Sequence, residues 1–214
     1  MKLHGFFRSS ASYRVRIALN LKGLAYEHAG VDLSKGGGEQ FAPAFRKLNP
    51  QSLVPVLEDG PLALTQSLAI IEYLDETHPR PPLLPAAPSG RPRGRAPALA
   101  IACDVHPLNN LRVLNYVSGP MGAGEDGKLK WYHHWIAEGL RPLEAMLVGD
   151  PATGKFCHSD TPGLADCCLV PQLANARRFK CDVAPYPKLV AIEQNCLALD
   201  AFRRAAPGRQ PDAE

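Results

Sequence analysis

The sequence predicts an α+β fold in which a small mixed sheet with helical cover is followed by helices alone. Apolar runs and turn signals before residue 80 occur in the order β-α-β-α-β-β-α. Residues 79–97 are rich in proline, with glycine and arginine between, a composition that disfavours a helix and marks a domain boundary. Beyond this stretch the residues read as helices up to Ala206.

Local signals place the elements of the first part. Leu3 and Phe7 are candidate core positions of the first strand, and serines precede a helix that Gly23 ends. Gln66-Ser67 opens an amphipathic helix in which Asp75 is expected to face water. In chain order, the expected elements are a strand at 2–7, a helix at 13–21, a strand at 25–31, a short helix at 39–47, strands at 53–57 and 62–64, and the helix from residue 66.

The second part is expected to hold helices at 98–118, 126–147, 163–178 and 187–203, with a frayed tail from Pro207. The predicted division is therefore a sheet-containing domain at 1–80, a proline-rich linker at 81–97 and a helical domain at 98–214.

Composition narrows the function classes. The chain has 214 residues and a net charge of +3, too little for an extended nucleic-acid surface. Neither a signal peptide nor an apolar stretch long enough to span a bilayer is visible, so no membrane contact is expected. Its six cysteines form no CxxC pair and have no metal-ligand spacing, which predicts reduced thiols, no metal and a cytoplasmic protein. The adjacent Cys167 and Cys168 are expected to pack in the core.

Ser9 and Ser10 stand at the start of the first predicted helix. Simple N-capping explains such serines. A helix N-terminus also carries partial positive charge and N–H groups without partners, so it can stabilise a thiolate. Position 11 is alanine, so a thiolate here would have to come from a ligand.

Two further features extend this set. In Val54-Pro55, a proline within an apolar strand suggests a cis peptide bond and leaves the Val54 backbone open to an extended peptide. Gln66-Ser67 is either a cap or a second anion site suited to a carboxylate. Each signal is weak alone, but in this order they predict a site for a small anionic peptide.

The helical part carries two polar features. Residues 106–112 include His106, Asn110 and Arg112, which are either satisfied side chains of the core or members of a site. Arg178 is either a surface charge or, in a cleft, a ligand for a carboxylate.

Several segments together resemble the zeta class of glutathione transferases. Residues 8–19 are similar to the class signature SSCxWRVRIAL. The other similar segments are 48–50, 54–55, 66–74, 106–112, 165–166, 169–172, 178–179 and 184–187. The resemblance covers nearly the whole chain.

The resemblance implies a thioredoxin-like first domain with a four-stranded mixed sheet, an all-helical second domain and a homodimer. It implies a glutathione-dependent cis-trans isomerase that acts on a small dicarboxylate keto acid, maleylacetoacetate or maleylpyruvate, in aromatic catabolism. Catalytic roles would fall to Arg8, Ser9, Ser10 and Arg178, with the two arginines receiving the substrate carboxylates. Glutathione would be bound by Ser9, Ser10, Ala11, Gln40, Val54, Gln66, Ser67, His106, Asn110, Leu111 and Arg112.

The chain departs from the class at three positions. Ala11 replaces a frequent cysteine, which removes a partner for a mixed disulfide with glutathione, and Tyr13 replaces a tryptophan. Gly163 stands where the class has a serine or threonine that forms a capping pair with Asp166. Two other functions remain open at this point: a glutathione transferase or dehalogenase of small α-halo acids, and a non-catalytic thioredoxin-fold binding protein. The second predicts loss of the serine pair or of Gln66-Ser67, and both are present.

Overall fold

The computed structural model describes residues 1–213 and divides the chain into two compact units. The first unit contains Met1–Leu83 together with the chain from Leu197 onward, and the second is Leu84–Cys196. This division differs from the expected one, because the chain from Leu197 onward belongs to the sheet-containing unit.

The sheet of the first unit has the expected mixed, four-stranded form. Its strands lie in the order β2-β1-β3-β4, with β1 parallel to β2 and both other pairs antiparallel. The strands are β1 (Lys2–Gly5), β2 (Glu27–Gly30), β3 (Val56–Asp59) and β4 (Leu62–Thr65). Leu3 is fully buried and paired with the fully buried Leu57, so the centre of the core lies at the β1–β3 pair. Phe7 is buried as predicted, although β1 ends two residues earlier.

Helices cover this sheet. The helices of the first unit are α1 (Ser10–Leu21), α2 (Pro43–Leu48), α3 (Ser67–Thr77) and α9 (Asp200–Ala205). Short 3-10 turns at Lys35–Gly37 and Glu39–Phe41 precede α2. Apolar side chains of both helices are fully buried, so apolar packing anchors them. They are Val15, Ile17, Ala18 and Leu19 of α1 and Ile70, Ile71 and Leu74 of α3.

Asp75 was predicted to face water, and this was wrong. Its carboxylate accepts hydrogen bonds from the Lys22 ammonium and the Leu83 amide N–H, both at 2.8 Å. Lys22 Nζ also donates to the carbonyls of His78 and Pro81. The pair ties the end of α1 to the chain after α3, a long-range contact that helical periodicity does not encode.

A helix occupies part of the stretch predicted as a proline-rich linker. The correction concerns α4 (Arg91–Leu99), which contains Pro92 and Pro97. Pro92 lies in the first turn, where a missing N–H costs nothing, and Pro97 is accommodated near the end of the helix. The predicted helix at 98–118 is correspondingly interrupted by a π-helical segment at Ala100–Val105 and a 3-10 turn at His106–Asn109 that contains Pro107.

Two helices of the second unit, α6 (Gly124–Val148) and α7 (Leu164–Arg178), agree with the predicted ranges to within two residues. The unit also contains α5 (Leu111–Ser118), which is only the end of the predicted 98–118 helix, and α8 (Pro187–Leu197), which ends where the first unit resumes. The predicted 187–203 helix is two helices, since Leu199 has an extended backbone between α8 and α9.

The tail from Pro207 was predicted to fray, and this was wrong for the described part. Pro207–Arg209 forms a 3-10 turn, and the side chain of Gln210 donates to the carbonyls of Arg204 and Ala206. Asp212 contacts the N-terminal segment through the Phe7 amide N–H at 3.0 Å. Composition suggested a solvated end, but side-chain hydrogen bonds hold it.

Cys167 and Cys168 are fully buried, as expected of core residues. Among residues 1–213, no cluster of three His, Cys, Asp or Glu side chains could hold a metal ion. Within the same range, every helix is too short or too polar to cross a membrane.

Candidate active site

The start of α1 presents its backbone amides behind Ser9. Ser9 has an extended backbone, and its Oγ accepts a hydrogen bond from the Ser12 N–H at 3.2 Å, so it is the N-cap. Because the oxygen is the acceptor in this bond, the hydroxyl proton remains to be donated to an anion. Ser9 is half-buried whereas Ser10 is 4% exposed, so Ser9 is the more accessible of the two predicted serines. Ala11, in the first turn, is half-buried.

A tight turn joins β1 to α1 and carries Arg8. The Ser9 N–H donates to the Phe6 carbonyl at 2.9 Å, which closes the turn. The guanidinium carbon of Arg8 lies 4.7 Å from the centre of the Phe7 ring and 5.7 Å from that of Phe6. These two cation–π contacts support the exposed guanidinium of Arg8, the residue that precedes Ser9 in the chain.

The Val54-Pro55 peptide bond is cis, as the sequence predicted. Val54 packs against the cluster of Val31, Phe45 and Val56. It precedes the strand ladder, whose first pairs join Val56 to Thr65 and to His4, so no sheet hydrogen bond occupies the Val54 backbone. An extended ligand can therefore pair with it.

The start of α3 is built differently from that of α1. Gln66 has φ +66°, a left-handed conformation that is uncommon for a residue other than glycine, and its side chain does not cap the helix. Its amide Nε2 donates instead to Gln51 Oε1 at 2.8 Å. Ser67, the first residue of α3, is 7% exposed, and its Oγ accepts a hydrogen bond from Arg14 Nη1 at 3.2 Å. The interpretation of Gln66-Ser67 as a plain cap is therefore wrong.

Arg14 connects the two helix starts. It lies on α1, is 2% exposed, and donates to the first residue of α3. This bond brings Ser67 into one rigid arrangement with the helix that Ser9 caps. A buried cation beside Ser67 also favours an anion at the start of α3.

The charge pattern of these two helices favours anions. Neither α1 nor α3 has an acidic residue in its first turn, so the positive end of each helix dipole is not neutralised from within. By contrast, Glu125 and Asp126 lie in the first turn of α6, and Asp166 lies in that of α7.

Gln40 adds an acceptor without a partner. It lies in the 3-10 turn at Glu39–Phe41 and is 5% exposed. Within the described chain, its Oε1 has no hydrogen-bond donor. A buried amide oxygen without a donor is costly, and a ligand N–H group would satisfy it.

The other predicted residues belong to the second unit. Asn110 is the N-cap of α5, and its side-chain oxygen accepts a hydrogen bond from the Arg112 N–H at 3.2 Å. His106 is half-buried, while Leu111 and Arg112 are exposed. A role for these four residues toward the serines of the first unit stays a prediction.

Arg178 ends α7 on an aromatic support. Its guanidinium carbon lies 4.5 Å from the centre of the Phe179 ring, which is stacked on Tyr132 with centres 3.9 Å apart. The Phe179 carbonyl accepts from His133 Nε2 at 2.7 Å. Burial raises the pKa of the Tyr132 phenol above its usual range, so Tyr132 is neutral and contributes packing. Arg178 itself is exposed, as a ligand for a carboxylate must be.

Two arginines within the signature run, Arg14 and Arg16, have partners that the sequence does not predict. Arg14 acts as described above, and Arg16 is fully buried, with Nε donating to the Ala205 carbonyl and Nη2 to the Phe7 carbonyl at 3.0 Å. Burial lowers the pKa of Arg16 to about 10, so it stays charged at neutral pH. The position of both arginines among apolar residues of α1 could have predicted that they are buried. A buried arginine requires hydrogen-bond partners, so a structural role could have been predicted as well.

Comparisons with known proteins agree with this architecture. The model of the family described as glutathione S-transferase, N-terminal domain, matches residues 3–82. The chain is 51% identical over 213 residues to a maleylpyruvate isomerase of Ralstonia sp, covering 100% of both chains. It is 52% identical over 207 residues to a maleylacetoacetate isomerase of Rhizobium meliloti, covering 97% of this chain and 96% of the relative.

Solved structures are similar over the whole chain. One is a holo maleylpyruvate isomerase described as a bacterial glutathione S-transferase of the zeta class, with a TM-score of 0.97, 51% identity and full coverage of both chains. Another is a maleylacetoacetate isomerase of Methylobacterium extorquens AM1 with bound malonate and glutathione, with a TM-score of 0.96, 44% identity and full coverage of both chains. With half its residues identical to such relatives over its full length, this chain belongs to the zeta class of glutathione S-transferases, the family of the maleylacetoacetate and maleylpyruvate isomerases.

Proposed function

We propose that this protein is a glutathione-dependent cis-trans isomerase of a maleyl keto acid, maleylacetoacetate or maleylpyruvate. The observation that carries the proposal is the pair of helix starts in the first unit. Both lack an acidic residue in the first turn, and the Arg14–Ser67 hydrogen bond ties them together. Two such sites suit a small peptide with an anionic sulfur at one end and a carboxylate at the other.

The residues fit glutathione in polarity as well as in charge. The Val54 backbone, outside the strand ladder, would pair with the peptide backbone of the ligand. Ser67 would donate its hydroxyl proton to the γ-glutamyl carboxylate, since Arg14 already donates to its oxygen. Gln40 Oε1 is a buried acceptor that a ligand N–H would satisfy. Ser9 would hold the sulfur at the start of α1.

When bound, glutathione supplies a thiolate that adds to the cis double bond, allows rotation about it and leaves again. Ser9 and the first amides of α1 favour the ionised thiol, because the hydroxyl donates a proton and the helix end is positive. No cysteine competes for this position, since residue 11 is alanine. Ser10, with little accessible surface, contributes through its backbone amide.

The keto acid has two carboxylates, and we assign them to Arg8 and Arg178. Arg8 is exposed beside the Ser9 turn and supported by Phe6 and Phe7, and Arg178 is exposed on the Phe179 ring. The bound malonate in the Methylobacterium extorquens relative supports a dicarboxylate substrate. His106, Asn110, Leu111 and Arg112 are proposed to line the same site from the helical unit.

The test is a spectrophotometric isomerase assay with maleylacetoacetate and with maleylpyruvate, each with and without glutathione. We expect turnover of at least one compound that requires glutathione. Equal rates without glutathione, or no turnover of either compound, would contradict the proposal. Release of halide from a small α-halo acid, in the absence of isomerase turnover, would indicate the dehalogenase function instead.

Arg178→Ala separates substrate binding from catalysis. We expect KM for the keto acid to rise about tenfold, because a charge-assisted hydrogen bond to a carboxylate is lost. Arg141→Ala is the matched control, since Arg141 forms an exposed ion pair with Glu138 one turn away. An unchanged KM in Arg178→Ala would show that Arg178 is a surface charge and does not bind a substrate carboxylate.

We further propose a cytoplasmic homodimer. The six cysteines are thiols without disulfide bonds, which fits a reducing compartment. Apolar side chains are exposed on the edge strand β4, at Leu62, and on α4, at Leu99, and both would be covered in a dimer. Light scattering during size-exclusion chromatography should give about twice the mass of the chain; the mass of one chain would contradict the dimer.

A further inference from the structure

The C-terminal tail reaches the turn that carries Arg8 and Ser9. Three side chains of α1 anchor α9: the donors Tyr13 Oη, Arg16 Nε and Asn20 Nδ2 bond to the carbonyls of Phe202, Ala205 and Ala201 at 3.3, 2.9 and 2.9 Å. Gln210 then folds the tail back onto the end of α9. These contacts place Asp212 next to Phe7 in the N-terminal segment, although the two residues are 205 positions apart in the chain.

Asp212 accepts a backbone amide of this turn from outside the turn. The Ser9 N–H closes the turn on the Phe6 carbonyl, and Arg16 donates to the carbonyls of Phe6 and Phe7. The Phe7 N–H donates to Asp212 Oδ2 at 3.0 Å. Donors and acceptors on both sides of the Phe6-Phe7 backbone are therefore fixed by groups from outside the turn.

His28 and Gly30 of β2 form the other side of the surroundings of the Asp212 carboxylate. His28 Nε2 lies 2.8 Å from Asp212 Oδ1, and the two side chains are only 10% and 21% exposed. At Gly30 an added Cβ would stand 3.4 Å from the Cβ of Asp212, so the tail lies directly against β2. The carboxylate lies against β2 on one side and accepts a hydrogen bond from the turn on the other.

We propose that Asp212 is a positioning residue for the isomerisation, through the backbone of the Phe6–Ser9 turn. The Phe7 ring supports the Arg8 guanidinium, and the residue after Arg8 is the N-cap that faces the sulfur. By holding the Phe7 amide, Asp212 fixes where Arg8 and Ser9 stand. Displacement by about an ångström can cost a factor of roughly 100 in rate, so this support matters to turnover. The inference rests on the proposed function.

The test compares Asp212→Ala, Asp212→Asn and, as a control, Asp200→Ala. Asparagine keeps an oxygen that can accept the Phe7 N–H, whereas alanine does not. Asp200 is an acidic residue of α9 whose exposed ion pairs reach only Arg203 and Arg204. Amide hydrogen exchange at Phe7–Ser9 is measured in the ligand-free protein, and kcat and KM for glutathione are measured in the assay above.

We expect Asp212→Ala to speed exchange of the Phe7 amide at least tenfold and to lower kcat about tenfold, with a smaller change in KM for glutathione. Asp212→Asn should restore most of both, and Asp200→Ala should match the unmodified protein. Unchanged exchange in Asp212→Ala, or faster exchange with unchanged kcat, would overturn the inference. Equal losses in the alanine and asparagine variants would assign the effect to charge and also overturn it.

Two measures keep the outcomes apart. If Asp212→Ala fails to fold, His28→Gln tests the same surroundings, because it withdraws the neighbour of the carboxylate and leaves the carboxylate in place. About threefold lower kcat with faster Phe7 exchange is expected, and no change in either would overturn the inference. If the unmodified protein has no isomerase turnover, the proposed function fails; exchange at Phe7 and calorimetric binding of glutathione then decide the role of Asp212.

Discussion

The starts of α1 and α7 solve the same physical problem in opposite ways. Each helix begins with amide N–H groups that have no partner within the helix. At α7 the carboxylate of Asp166, 1% exposed, accepts the N–H groups of Gly163 and Cys157 at 2.8 and 2.9 Å. At α1 the first turn holds no acidic residue, and a half-buried serine hydroxyl is the cap. The protein places its own carboxylate in the first turn of α7 and leaves the start of α1 able to receive an anion from outside.

The contrast separates a structural cap from a ligand site. Gly163 has no side chain to complete a reciprocal capping pair, so Asp166 alone supplies the acceptor at α7. Burial raises the pKa of Asp166, while the amides of Cys157 and Gly163 act in the opposite direction. Changes at α7 should therefore affect stability, and changes at α1 should affect turnover.

The largest expected effect is on stability at α7. Asp166→Ala leaves the amides of Cys157 and Gly163 without their acceptor, and we expect the free energy of unfolding to fall by about 3 kcal/mol. Urea unfolding measures this change. The control is Asp160→Ala, in which an exposed carboxylate that accepts the Lys155 N–H is lost, at an expected cost below about 1 kcal/mol. Similar costs for both variants would contradict the structural role of Asp166.

At α1 the expected effect is on turnover. Ser9→Ala removes the hydroxyl donor to the sulfur, and we expect kcat to fall about a hundredfold, by analogy with the loss of one preorganised donor to a developing anion. Its effect on the free energy of unfolding should stay near 1 kcal/mol, the usual cost of losing an N-cap. Ser10→Ala is the matched variant, because its side chain is buried, and less than a threefold change in kcat is expected. A neutral Ser9→Ala would move the role to Ser10 or to the helix amides.

The smallest effect is expected at α3. Ser67→Ala removes the hydroxyl that Arg14 orients, and we expect KM for glutathione to rise about tenfold with little change in kcat, because the γ-glutamyl end is remote from the sulfur. Calorimetric titration of glutathione checks the same loss as a binding constant. A fall in kcat with unchanged binding would contradict the assignment of a carboxylate to α3.

The sequence predicted those features of the fold and of the candidate site that depend on residues close together in the chain. The serines before α1, the cis bond at Val54-Pro55 and the helix start at Ser67 all follow from residues a few positions apart. Pro92 is compatible with α4 because the first turn needs no N–H donor at that position, whereas Pro97 lies inside α4, which continues in spite of the missing N–H. The partners of Asp75 and Asp212 were missed because hydrogen bonds between distant segments leave no trace in hydrophobic periodicity.

The roles of buried arginines also exceeded what the sequence could predict. Arg14 and Arg16 stand within the similar signature run, but their partners, Ser67 and the carbonyls of Phe7 and Ala205, come from elsewhere in the chain. Only the fold shows that one arginine ties α1 to α3 and the other ties it to α9. The composition of α1 indicated a need for partners without identifying them.

Ionisation of the bound thiol tests the central claim most directly. Glutathione is added to the protein in buffers of increasing pH, and the ultraviolet absorbance of the thiolate is followed against a protein blank. If the start of α1 is a site for an external anion, the midpoint for bound glutathione should lie at least about one pH unit below that of the unbound tripeptide. The same midpoint for bound and unbound glutathione would contradict the account.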